Sequence, residues 1–184
     1  MTRSSYAMPL LIIAALQAAC ARGSAEPSHA AVSIVTKPAL GQGTPAQNVT
    51  NAYLVLQAQL VNDEFKAARI SFDRVHSAAQ ASALPITPAL RKRIDDAALQ
   101  GGAAADLPRQ RVAFGALSDA LIAWFRTQDN PLADGLSVAH CPMAFEGKGA
   151  KWIQRGEQIA NPYFGTEMST CGNVEAAIPA GKKL

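Results

Sequence analysis

Between Asn48 and about Thr127 apolar residues recur at spacings of three and four, and each run is cut by helix-breaking residues before the next begins. That period places side chains on one face of a helix, so this stretch predicts a series of short helices and little else. Tyr53, Leu56 and Leu60 mark the first face. Asn62-Asp63 reads as a break and a fresh N-cap, with Glu64 favouring the new start. Phe65, Ala68, Phe72, Val75 and Ala79 carry the second face to about Ala83. Pro85 and Pro88 close that segment and open a third, Ala89 to Leu99, which Gly101-Gly102 is expected to end. Asp106-Leu107-Pro108 is a capping acid with proline in the first turn. It precedes a fourth face of Val112, Phe114, Leu117, Leu121, Ile122 and Phe125, which Asp129-Asn130-Pro131 stops. The prediction is an all-α fold, an antiparallel bundle of about four helices. Aromatics at only 6% and abundant alanine suit closely packed helices.

After Asp134-Gly135 the character changes. Leu136 to Ala139 reads as a short extended run leading into Cys141. Beyond it come Gly147, Gly149, Gly156, Gly165 and Gly172, with turn-forming Asn161-Pro162-Tyr163 between them. A loop-rich stretch of that length inside a domain has a function or a covalent staple. We therefore expect residues 136–174 to form a loop-rich motif region packed on the bundle, within one domain spanning 48–184.

The first twenty residues read as an export signal: Arg3, then an apolar run from Met8 to Leu16, then Ala18-Ala19-Cys20. The run is too short to span a bilayer. Cys20 after two alanines resembles the acceptor of a bacterial lipoprotein, although Gln17 stands where an aliphatic residue is usual. Lipidation at Cys20 and ordinary cleavage between Ala18 and Ala21 are both open. Either places the chain in the periplasm, with any membrane attachment through the lipid alone. Residues 21–47, rich in Ala, Gly, Ser and Pro, read as a flexible tether.

Export sharpens the question of the two remaining cysteines, because a free thiol outside the cytosol is exposed to oxidation. Cys141 and Met143 would share a side in an extended segment, and Met168 and Cys171 would share a face of a helical turn. If the two arms converge, their four sulfurs form a soft-ligand set suited to Cu(I) or another thiophilic ion, to which His140 could add an imidazole. A Cys141–Cys171 disulfide is the other reading, with the methionines as filler beside Trp152, Tyr163 and Phe164. Both remain open on the sequence.

Four blocks in order carry a resemblance. His140-Cys141-Pro142-Met143-Ala144, Ala150-Lys151-Trp152-Ile153, Ile159 to Gly165 and Met168 to Gly172 resemble the signature of the domain of unknown function (DUF) 3347 family. Ala52-Tyr53-Leu54, Leu60 to Asp63 and Phe114 to Ser118 are similar to its helical part. The resemblance covers about Asn48 to Val174. That family occurs as free-standing exported proteins and on periplasmic adaptor subunits of heavy-metal efflux systems, so it implies a metal-handling context with efflux or other envelope proteins as partners. A disulfide-stapled interaction module without a metal is the rival expectation.

Other chemistries find little footing. A net charge of +3 is scattered, with no basic run interleaved with aromatics, which speaks against nucleic acid. Close Cys or His pairs of the zinc type are absent from both arms. Ser118-Asp119 has no nucleophile-elbow glycines, and no nucleophile–base pair can be named, so a non-enzymatic role is expected. His76 reads as a solvated or core-edge histidine.

Overall fold

The computed structural model describes residues 42–184; the export signal, Cys20 and most of the tether lie outside them. The described chain runs α1 (Pro45–Val61), α2 (Phe65–Ala79), α3 (Pro88–Ala103), α4 (Leu107–Phe125), β1 (Leu136–Cys141), α5 (Ala144–Gly147), β2 (Ala150–Arg155) and β3 (Asn173–Ile178). This is a mixed α/β fold, and it corrects the all-α expectation. The region read as loops contains a three-stranded antiparallel sheet of order β2-β1-β3. No helix among the described residues is long and apolar enough to cross a membrane.

The helices start where local chemistry satisfies their free N–H groups. Thr44 and Gln47 form a reciprocal capping box at α1, with Pro45 in the first turn. The helix therefore takes the last residues assigned to the tether. Asp106 caps α4 by accepting from the backbone N–H of Arg109 at 2.9 Å. The α1–α2 junction differs from the expected cap. Asp63 has φ +59 and caps nothing; Glu64 is the N-cap residue and makes no side-chain cap bond. Asp63 instead reaches across to the motif region.

Gly101 and Gly102 lie inside α3 and do not end it. The reason is packing. A Cβ at Gly101 would lie 2.3 to 2.4 Å from the Phe72 ring, so the glycine is what lets α2 and α3 approach with that ring fully buried between them.

Successive helices pack on one another, and β2 lies against α4 and α1. The seam between helices and sheet is aromatic. Tyr53 of α1 stacks on Phe114 of α4 with centroids 5.1 Å apart. Tyr163 then meets Phe114, Phe145 and Trp152 at 5.8, 5.2 and 5.8 Å. Such pairs add about 0.5 to 1.5 kcal/mol each beyond their buried area. The Tyr53 hydroxyl accepts the backbone N–H of Ile153 at 3.0 Å and bonds Ser118 at 2.8 Å. Tyr163 donates to the carbonyl of Lys151 at 2.5 Å. Two tyrosines thus occupy polar groups on the outer edge of β2, and burial pushes both phenol pKa values up.

Candidate functional site

Cys141 ends β1 and is fully buried in the core. Cys171 stands two residues before β3 and is half-buried. β1 pairs with β3 through His140 opposite Asn173, which brings the two cysteines to the same end of the sheet. Their sulfurs are 3.3 Å apart, and both are free thiols.

The Cys171 arm is held from behind by Asn161, which is completely buried. Its side-chain amide donates to the Cys171 carbonyl at 2.8 Å, its side-chain oxygen accepts from Tyr163 N at 2.8 Å, and its own N–H donates to Ser169 O at 2.7 Å. Every bond-forming group of the asparagine side chain is engaged inside one loop, so it works as an internal brace. The Cys171 N–H bonds back to the Met168 carbonyl at 3.1 Å, closing the turn between them. At Gly172, φ is +134 and a side chain would lie 2.7 Å from the His140 carbonyl, so only glycine lets this segment run so close to β1.

The remaining sulfur and nitrogen candidates are placed as follows. Met143 is 57% exposed, because the chain leaves extended geometry at Pro142-Met143 and the expected alternation with Cys141 stops there. Met168 is half-buried in the turn before Cys171. His140 is one residue from Cys141 along the strand and so faces the other way. Its Nδ1 lies 3.1 Å from Glu175, whose second carboxylate oxygen is 2.6 Å from Lys151. His76 on α2 faces Asp95 of α3 at 3.5 Å. Among the described residues no group of three or more His, Cys, Asp or Glu side chains converges on one point.

Of the predicted sulfur ligands, the fold brings Cys141 and Cys171 into direct contact. An ion about 2.3 Å from each sulfur with a tetrahedral angle between them needs the sulfurs roughly 3.8 Å apart. A disulfide needs them at about 2.05 Å. From 3.3 Å the sulfurs move apart to hold such an ion and together to close a disulfide. The Cys171 thiol pKa is raised, chiefly by its hydrogen bond with Cys141 and further by burial and by that neighbour's charge. At neutral pH Cys171 therefore keeps its proton until an ion or an oxidant displaces it.

No protein-family model, curated protein or solved structure matches the chain. The site stands on its own residues. Asn161 was visible in the sequence as part of a turn. Glu175 and Lys151 were not, because their meeting with His140 depends on strand register.

Proposed function

We propose that the chain is an exported, non-enzymatic protein of the cell envelope that holds Cu(I), or a comparable thiophilic ion, between the sulfurs of Cys141 and Cys171. In that role it passes the ion on, or senses it, within envelope metal homeostasis or efflux. The observation that carries this reading is the 3.3 Å contact between two thiols from separate elements, one in the core and one open to the surface. Sulfur is the ligand type that selects such ions. Met168, half-buried one turn before Cys171, is available as a third sulfur, whereas Met143 faces solvent and His140 is engaged by Glu175. The resemblance of the four C-terminal blocks to the DUF3347 family supports the same context.

The test is a competition titration of the reduced, full-length protein with Cu(I) against a chromogenic chelator. One ion per chain is expected, and it is lost in Cys141→Ala and in Cys171→Ala. Affinity should rise with pH, because binding must displace the raised thiol proton. Unchanged affinity in the double alanine variant would falsify the proposal.

A second reading is favoured by the same contact in an oxidising compartment: the thiols close to a disulfide, and the domain serves as an interaction module of the envelope. Protein isolated from the periplasm with no copper and a mass lower by two hydrogens is its signature.

A further inference from the structure

A pocket of about 430 Å³ lies between α4 and the turn that joins β1 to β2, in the size range of small-molecule sites. Gly115 and Ala116 of α4 give it a floor of small residues, with Val112 and Asp119 one turn to either side. Phe145 and Lys148 form the opposite wall. That wall is strained: Phe145 and Glu146 have φ of +53 and +61, a left-handed backbone that crowds the Cβ of a residue with a side chain. Such strain persists only where the surroundings impose it, and it gathers at ligand clamps and active sites. Here it seats the Phe145 ring over α4, where Gly115 leaves room; a Cβ at that position would be 3.2 Å from the ring.

The charges in the pocket are divided unevenly. Glu175 engages both His140 and Lys151, which neutralises that side. Asp119 and Lys148 form no ion pair or side-chain hydrogen bond among the described residues. Val112 is 59% exposed, a large apolar side chain left uncovered at the same place. Asp119, Lys148, the Glu175-paired Lys151 and an apolar surface of Val112 and Phe145 therefore line the same space.

We propose that this pocket binds a small zwitterion, an α-amino acid with an apolar side chain, its ammonium on Asp119, its carboxylate on Lys148 and its side chain against Phe145 and Val112. Asp119 is exposed at the rim of the pocket; partial burial raises its pKa, with Arg93 and Lys151 opposing it. The site is independent of the thiol pair and stands or falls separately from the metal proposal.

The experiment follows the backbone amide signals of Gly115 and Gly149 in the full-length protein during titration with L-phenylalanine, phenethylamine and 3-phenylpropanoate. The amino acid should give saturable shifts at both glycines, and each analogue lacking one charge should bind at least about tenfold more weakly. Lys148→Gln should bring L-phenylalanine down to the amine, and Asp119→Asn should bring it down to the acid. No saturable shift up to about 10 mM L-phenylalanine, or either analogue matching it, overturns the proposal.

Discussion

Replacing Asp63 with asparagine tests whether the α1–α2 turn holds the loop that ends at Cys171. The carboxylate of Asp63 accepts from the backbone N–H of Thr166 at 3.1 Å and from its hydroxyl at 2.5 Å, and it pairs with Arg111. Arg111 in turn donates to the carbonyls of Pro162 at 2.9 Å and Leu60 at 3.3 Å. Asparagine tolerates the left-handed backbone at this position, so the substitution removes charge without adding strain. Hydrogen bonds to a charged group contribute about 1.5 to 3 kcal/mol where water is excluded. The Asp63 side chain is 33% exposed and that of Arg111 15%, so water competes for part of this. The expected loss is about 1 to 2 kcal/mol, or roughly 3 to 8 °C in Tm.

The pH dependence supplies the decisive control. The Thr166 hydroxyl bond first, then the Thr166 N–H and Arg111, hold the Asp63 carboxyl below its usual range despite some burial. A lowered folded pKa means the stabilisation is complete above the unfolded value of about 3.9 and disappears as pH falls through the folded value. Thermal unfolding followed by circular dichroism should therefore show a gap between parent and Asp63→Asn at pH 7 that closes in acid. A gap of equal size in acid, or no gap at pH 7, refutes the clamp.

Two further substitutions probe the scaffold. Gly101→Ala gains about 1 kcal/mol of helix propensity but drives a methyl into the buried Phe72 ring. Overpacking should outweigh that gain and leave a net loss of about 1 to 3 kcal/mol in a denaturant midpoint; a stabilised variant would show that the ring moves freely. Tyr53→Phe strips the buried Ile153 N–H and Ser118 hydroxyl of their shared partner and should cost about 2 to 4 kcal/mol by the same assay. A loss below about 0.5 kcal/mol would mean the hydroxyl does not join β2 to the helices.

How much was legible follows from which signals are local. Helices α1 to α4 show in the sequence because their apolar spacing, prolines and the Asp106 cap all act within a turn or two. β2 is invisible to the same reading. Trp152, Ile153 and Gln154 are consecutive and all buried, so the strand has no alternation to detect. β3 does alternate, but its partly buried positions include Ala176 and its exposed ones include Ala177, so composition hides the pattern. Asp63 looked like a cap because asparagine and aspartate commonly are caps. Its partners Thr166 and Arg111 lie far along the chain, where no local rule reaches.

The missed sheet and the altered site are one consequence of the same pairing. The sequence suggested that each cysteine belongs with the methionine nearest to it, through helical or extended spacing. In the fold, antiparallel pairing of β1 with β3 joins cysteine to cysteine, and the turn at Pro142-Met143 sends its methionine to the surface. The pairing carries a register shift between Val138 and Ala139, where Val138 faces Ala176 but Ala139 faces Val174. Glu175 is the residue left over, a β-bulge, and from there its carboxylate reaches both His140 and Lys151. The bulge thus draws His140 into a charge network on one side of β1, while Cys141 meets Cys171 on the other. A single strand separates the two candidate sites, giving one of them sulfur and the other fixed charge.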